Sequence, residues 1–184
     1  MAAFATPAEL VSFLQVPEVD TATATLVLDV ASEDIRSACG WNISQETVTA
    51  EEFDGTGCES IWIPTMNLTS VASVTAAGVA IPPTGYRVYR YGRLRRLNAY
   101  WPADNWTVVI TYTHGYAVVP DDVKGACLVL AGSKYQNPGA GLTSYTDTVG
   151  GVSHSRTYAA SSAPVPPVDD SEAVIARYKL AGVA

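Results

Sequence analysis

The sequence is poor in charged residues, in cysteine and in histidine. Only 16% of its 184 residues are charged, and it has three cysteines and two histidines. No apolar run approaches the ~20 residues needed to cross a bilayer, so no membrane partner is expected. No cysteines or histidines lie at the short spacing of a zinc site. A surface with so few charges is covered by Thr, Ser, Tyr and Ala, which suits either contact with other subunits or a small neutral monomer.

The three cysteines are odd in number and widely spaced, which predicts free thiols in a reducing compartment. Cys39 and Cys127 fall on apolar stripes of predicted helices, where cysteine acts as a small buried residue. Cys58 lies beside a glycine turn and is the candidate for an exposed thiol. With His114 or His154 as its base it would give a cysteine-dependent hydrolase, an alternative of a different class. No motif surrounds it, so we expect no enzyme, no catalytic or metal site and no cofactor.

The charges are distributed unevenly along the chain. Residues 1–86 contain eleven acidic residues and one basic residue, whereas residues 87–184 contain seven acidic and ten basic residues. An acidic half and an arginine cluster on one chain favour head-to-tail pairing between copies, with arginines bound to carboxylates. Contact with nucleic acid and a plain solvated surface are the alternatives. The cluster consists of Arg87, Arg90, Arg93, Arg95 and Arg96.

Apolar residues at spacings of three and four predict four helices. The first runs from Pro7 to Gln15, and the second, with the widest apolar stripe, from Thr21 to Cys39. A third runs from Asp121 to Tyr135, because a proline followed by two acids suits the first turn of a helix. A short terminal helix starts at Asp169.

Between the second and third helices the apolar period changes to two, which predicts strands. Tyr91-Gly92 lies between two strands at hairpin spacing, and residues 54–57 read as a further hairpin turn. Six short strands predict a small antiparallel sheet or barrel-like insert over about residues 41–116, so the fold class is α+β. The predicted strands are Thr47–Phe53, Ser60–Ile63, Ser70–Ala76, Tyr86–Arg90, Arg93–Leu97 and Thr107–Thr113.

Residues 139–168 are rich in Gly, Ser, Thr and Pro and contain only two charged residues, Asp147 and Arg156. A loop of this length is uncommon in a compact domain and is typical of a segment that a partner orders. Within it, Val152, His154, Arg156 and Tyr158 alternate with small polar residues. That pattern predicts a strand without an obvious partner, which could add to the sheet of a neighbouring copy.

Four features in one order resemble the head-to-tail connector (adaptor, or head-completion) proteins of tailed bacteriophages, of the siphophage type. They are the helix from Thr21 to Cys39, the strand that ends in Thr111 to Tyr116, the helix start at Val119 to Val123, and the segment from Val149 to Tyr158. A short helix follows them. The β-rich insert is similar to the longer adaptors of phages that infect actinobacteria. The resemblance rests on the order of these short motifs.

The resemblance implies a structural virion protein without enzymatic activity. Such adaptors form a twelve-membered ring beneath the portal, extend the DNA channel and receive the stopper or a tail-completion protein. Double-stranded DNA would pass without sequence-specific binding, and an acidic channel wall fits that role. Residues 1–138 would form the adaptor body with its insert, residues 139–168 an assembly loop, and residues 169–184 a portal-docking helix and tail. The protein would assemble in the host bacterial cytoplasm and reside in the virion neck.

These expectations give two sets of contact residues. The expected portal contact is Val174, Ile175, Tyr178, Lys179 and Leu180. The expected contact between subunits is Arg87, Arg90, Arg93, Arg95, Arg96, Val152, His154, Arg156 and Tyr158. Another neck component, a stopper or tail-completion protein, stays open as an alternative. A mostly β barrel would favour the stopper, and a helical body with an insert would favour the adaptor.

Overall fold

The computed structural model describes residues 2–136, 145–149, 152–156 and 170–180, which form four helices and nine strands. The predicted α+β class, with helices and antiparallel sheets, is confirmed. The helices are α1 (Pro7–Leu14), α2 (Thr21–Cys39), α3 (Asp121–Gln136) and α4 (Asp170–Tyr178). The strands are β1 (Glu46–Phe53), β2 (Ser60–Trp62), β3 (Leu68–Ala76), β4 (Val79–Ala80), β5 (Tyr86–Val88), β6 (Arg93–Arg96), β7 (Val108–His114), β8 (Tyr145–Val149) and β9 (Val152–Arg156).

The chain divides into two compact units. The first comprises the described residues of Met1–Ile35 and Asp121–Arg177, and the second those of Arg36–Pro120 and Tyr178–Ala184. The first unit is therefore mainly helical and the second mainly β. None of the helices in the described ranges is both long and apolar enough to cross a membrane.

Local sequence sets the helix starts of the first unit. Thr6 and Glu9 form a capping box at α1, in which each side chain bonds the backbone N–H of the other residue. The Asp20 carboxylate accepts a 2.8 Å bond from the backbone N–H of Thr23 and caps α2. Within the first turn of α3, the Asp122 carboxylate accepts a 2.9 Å bond from the backbone N–H of Val123. Each cap satisfies backbone donors that have no partner within the helix.

The core of the first unit lies where α2 and α3 bury their small apolar residues. The Ser32 hydroxyl bonds the Leu28 carbonyl and lies 3.4 Å from the Cys127 sulfur. Lys124 pairs with Glu9 at 2.9 Å and Lys134 with Asp34 at 3.1 Å, both at the edge of this core. Buried residues of the helices are Leu10, Ala24, Leu28, Ala31, Ile35, Val123, Ala126, Cys127 and Ala131.

The second unit contains two antiparallel sheets instead of the single sheet or barrel expected from the sequence. Strands β1, β7, β3 and β4 form one sheet in that order, and β2, β6 and β5 form the other. The hairpin predicted at residues 54–57 is wrong, because β1 and β2 lie in different sheets. Gly55 and Gly57 donate backbone bonds to Asp104 and Pro102, so a distant segment, and not the next strand, holds this stretch.

Both sheets of the second unit bury one face in a shared apolar core. Strand β7 shows the expected period of two, with every second residue buried from Val108 to His114. Trp101 is fully buried, and its indole N–H donates to the Glu59 carbonyl at 3.0 Å. The core consists of Ile61, Ile63, Leu68, Val74, Ala76, Ile81, Tyr86, Leu94, Trp101, Val108, Ile110 and Tyr112.

Part of the segment predicted as a long loop is a hairpin. The strand predicted over Val152–Tyr158 agrees with β9 as far as Arg156, but its partner is β8 of the same chain, from Tyr145↔Arg156 to Val149↔Val152. The sequence pointed to β9 and missed β8, since Tyr145–Val149 has no strong alternation. Tyr158 and the rest of residues 157–168 lie outside the described residues.

Candidate interaction surface

The register of the three-stranded sheet sorts the arginine cluster into two faces. Arg95 lies opposite Ser60 on β2 and opposite Arg87 on β5, and Arg93 lies opposite Trp62. Residues paired across strands, and residues two apart on one strand, share a face of a sheet. These five residues therefore lie on one face. The other face carries the buried side chains of Ile61, Leu94 and Tyr86 into the core.

We name the outward side of this sheet the arginine–aromatic face and define it as Trp62, Arg87, Tyr89, Arg93 and Arg95. Trp62 is 62% exposed. The Arg93 guanidinium lies 4.1 Å from the centre of the Tyr89 ring. Hydrogen bonding to Arg93 lowers the pKa of the Tyr89 phenol. Trp, Tyr and Arg are the residues enriched where protein interfaces concentrate their binding energy.

Arg95 is the member of the face that already has a carboxylate partner. Its guanidinium donates two bonds to one oxygen of Glu59, at 2.7 and 2.9 Å. Both side chains are nearly half exposed, so this pair contributes little to stability in water. Within the described ranges, no carboxylate forms an ion pair with Arg87 or Arg93. The face thus presents two arginines that are available to an acidic partner.

The other two arginines of the predicted cluster lie apart from this face. The Arg90 Nε donates to the Asn67 side chain at 3.1 Å. Arg96 points to the opposite side of β6, with its guanidinium 5.3 Å from the Trp101 ring centre. Its buried Nε has no hydrogen-bond partner among the described residues. Alternation along the strand separates Arg95 from Arg96, and this could be read from the sequence once β6 was placed.

The residues expected to contact the portal lie in α4 and directly after it. Val174 and Ile175 belong to the first unit, and Tyr178, Lys179 and Leu180 to the second. In the second unit, the Trp41 indole N–H donates to the Tyr178 carbonyl at 2.7 Å, and the Leu180 N–H donates to the Cys39 carbonyl at 3.0 Å. The Tyr178 ring meets Tyr116 edge-on at 6.2 Å. These contacts anchor the C-terminal segment on its own chain.

The five residues differ in how accessible they are. Val174 is 7% exposed, so its side chain is already packed within the single chain. Ile175, Tyr178 and Leu180 are half-buried, and Lys179 is exposed. A partner could reach Lys179 first, together with the outer parts of the half-buried side chains.

His114 ends β7 in an aromatic cluster and is not placed as a catalytic base. It is 5% exposed, and its ring lies 5.4 Å from Tyr112 and 6.3 Å from Trp41. Burial lowers the pKa of His114, and the opposing effect of the Glu46 and Glu51 charges is smaller. Its Nδ1 is buried without a hydrogen-bond partner in the part of the chain that the structure describes. The imidazole is therefore a neutral core group at pH 7.

We expect His114→Phe to reduce the pH dependence of stability between pH 7 and pH 5. Below about pH 6.5 the unfolded histidine takes up a proton that the folded one resists, so the wild type loses stability as the pH falls. One such group changes the free energy of unfolding by at most about 1.4 kcal/mol per pH unit. Urea titrations of both proteins at each pH measure the difference. Parallel pH profiles would contradict the assignment of a buried neutral imidazole.

The cysteines occupy the places that the sequence predicted. Cys39 and Cys127 are fully buried and Cys58 is exposed. Burial raises the pKa of Cys39 to about 11, which makes it a poor nucleophile. No hydrogen bond joins Cys58 to an imidazole within the described residues, and those residues contain no group of His, Cys, Asp and Glu that could hold a metal ion.

The family of the chain follows from a comparison with protein-family models. Residues 6–168 match the model described as head completion protein, which covers most of the chain. The chain belongs to the head completion protein family. The resemblance drawn from the order of the sequence motifs is thereby confirmed, and the role of the chain is structural. No curated protein matched the sequence.

Solved structures with the same fold are chains of gene transfer agent (GTA) particles. A chain in the neck of an empty GTA particle computed with C6 symmetry has a TM-score of 0.58 and 20% identity, covering 97% of this chain and 90% of that one. A chain in the neck of the native GTA particle computed with C12 symmetry has a TM-score of 0.58 and 18% identity. The match covers 96% of this chain and 89% of that one. A chain of the virion of the native GTA particle has a TM-score of 0.59 and 18% identity. The match covers 97% of this chain and 90% of that one. At these identities the likeness establishes the shared fold.

One part of the surface in this head completion protein was not predicted from the sequence. Trp62 was not among the predicted contact residues, although it lies between Ile61 and Ile63 in a predicted strand. Because those two flanking residues must face the core, alternation places the tryptophan on the outside. An outward tryptophan on a strand was the signal that could have been read.

Proposed function

We propose that this head completion protein is the head-to-tail adaptor of a tailed virion. In this role about twelve copies form a ring beneath the portal, extend the DNA channel and join the capsid to a stopper or tail-completion protein. The match of residues 6–168 to the head completion family carries the proposal. The fold shared with neck chains of particles computed with C6 and C12 symmetry supports a ring.

The helical unit favours an adaptor over a stopper. A stopper was expected to be mostly a β barrel, whereas this chain adds α1, α2 and α3 to its sheets. We assign residues 169–184 to the portal contact and residues 139–168 to contacts between subunits, including the β8–β9 hairpin. Double-stranded DNA is proposed to pass through the ring without sequence-specific binding. Assembly would take place in the bacterial cytoplasm, with the final location in the virion neck.

Deleting the gene for this chain from the genome that encodes the particle tests this function. An adaptor is needed after the head is filled, so we expect DNA-filled heads without tails, together with free tails, in electron micrographs of the lysate. Expression of the wild-type chain in trans should restore joined particles. Intact tailed particles in the absence of the protein would contradict the proposal.

Cys58→Ser separates the structural role from a cysteine-dependent hydrolase. The thiol is exposed and its loss leaves the fold intact, so an adaptor should retain the wild-type yield of infectious particles. A thiol nucleophile could not be replaced by a hydroxyl without a large loss of rate. Measurement of particle titre together with the melting temperature checks this. A fall in titre at an unchanged melting temperature would support the hydrolase instead.

A further inference from the structure

The outer side of α2 is a second exposed surface, and its chemistry is the opposite of the arginine–aromatic face. Helix α2 buries Ala24, Leu28, Ala31 and Ile35 on one side. The residues on the other side are spaced by three and four and are Leu26, Asp29, Val30 and Glu33, which we name the α2 outer strip. Leu26 is 63% exposed and Val30 is 40% exposed. The two acids are also exposed.

This strip is unusual because it combines apolar side chains with acids where a surface helix normally carries only polar residues. Asp29 forms no ion pair within the described ranges. An exposed leucine and valine one turn apart, next to two carboxylates, match a partner that offers an aromatic side chain flanked by arginines. The arginine–aromatic face has that composition, with Trp62 beside Arg93 and Arg87 nearby.

We propose that the arginine–aromatic face of one copy binds the α2 outer strip of the next copy. Trp62 covers Leu26 and Val30, and Arg87 and Arg93 bind Asp29 and Glu33. The inference rests on the proposed ring-forming function and names the two surfaces that build the ring. Both surfaces are exposed in the single chain, so each copy can bind one neighbour on each surface.

The pairing of two different surfaces determines the kind of assembly. A contact between unlike surfaces joins copies head to tail, and it gives a closed ring when the rotation between copies closes. The contact uses part of the uneven charge of the sequence, because the acids of the strip lie in the first 86 residues and the arginines follow. Desolvation at the tryptophan strengthens the charged pairs that surround it.

Photo-crosslinking in assembled particles tests the contact directly. Trp62 is replaced by the photoreactive residue benzoyl-phenylalanine, the particles are irradiated, and crosslinked peptides are identified by mass spectrometry. We expect crosslinks to residues 26–33 of another copy. Crosslinks to a different region, to another protein or to DNA would overturn the inference, as would their absence in particles that contain the chain. The gene deletion tests the proposed function separately from this contact. If heads and tails join normally without the protein, the proposed function itself fails.

A charge exchange gives an independent test of the same contact. Arg93→Glu and Asp29→Arg should each lower the yield of tailed particles about tenfold or more, because like charges then meet at every interface of the ring. The double variant should recover most of the yield. Glu52→Arg, an equal charge change at an exposed site outside both surfaces, serves as the matched control and should leave the yield unchanged. A double variant as defective as the single ones would overturn the pairing.

Discussion

Gly115→Ala is expected to destabilise the second unit by about 3–5 kcal/mol. Gly115 has a φ of +87°, and a Cβ there would lie 2.2 Å from the Ser44 carbonyl oxygen. That backbone cannot retreat easily, since Gln45 donates to the Tyr116 carbonyl at 2.9 Å and Tyr116 donates to the Ile43 carbonyl at 2.8 Å. A methyl group must break these bonds or distort the turn.

Gly78→Ala is the matched control for this substitution. Gly78 has a similar φ of +76°, but no atom beyond its two chain neighbours lies within 4 Å of its added Cβ. It should cost only about 1 kcal/mol, the strain of a left-handed backbone with a side chain. Thermal unfolding followed by circular dichroism compares the two variants. Equal losses would show that the close approach to Ser44 does not determine the requirement for glycine at position 115.

Trp101→Ala is the second substitution with a large expected effect, a loss of about 3–5 kcal/mol in the free energy of unfolding. The side chain is 1% exposed in the core between the two sheets. Its removal leaves a cavity, removes the 3.0 Å bond to the Glu59 carbonyl, and takes away the ring beside the Arg96 guanidinium. The Glu59 carbonyl keeps its bond from the Arg96 backbone N–H, so most of the loss comes from the cavity. Urea unfolding of the purified chain measures the change.

Two exposed tryptophans serve as controls for Trp101→Ala. Trp106 is 66% exposed and Trp62 is 62% exposed, so replacing either by alanine should change the stability by no more than about 0.5 kcal/mol. Trp62→Ala should nevertheless lower the yield of joined particles, whereas Trp106→Ala should not. A large stability loss for Trp106→Ala, or none for Trp101→Ala, would show that the core is placed wrongly.

Much of the secondary structure could be predicted because local rules govern it. The caps at Thr6 and Asp20 and the acids at the start of α3 act within one helical turn, and alternation along β7 reflects a single buried face. The pairing of the strands could not be predicted in the same way. Whether β1 continues into β2 as a hairpin depends on residues 102–104, which are distant in sequence and hold residues 55 and 57.

The contact surface was predicted only in part, for a related reason. The arginine cluster can be recognised in the sequence as a run of positive charges. That run does not determine which strands pair or on which face of the sheet each arginine lies. Once Arg95 is paired with Ser60 and Arg87, the cluster divides and Trp62 joins it. The anchoring of Tyr178 by Trp41 left no sequence signal, because a backbone carbonyl accepts the bond and any residue supplies one.

A cryo-electron microscopy reconstruction of the neck of intact particles shows whether the chain forms the proposed ring. The density of the chain is identified by comparing particles that carry a tagged copy with untagged particles. The expected result is a closed ring of about twelve copies between the portal and the stopper or tail, with the arginine–aromatic face of each copy against the α2 outer strip of the next. A chain that is absent from the neck, or present there without forming a ring, would contradict it.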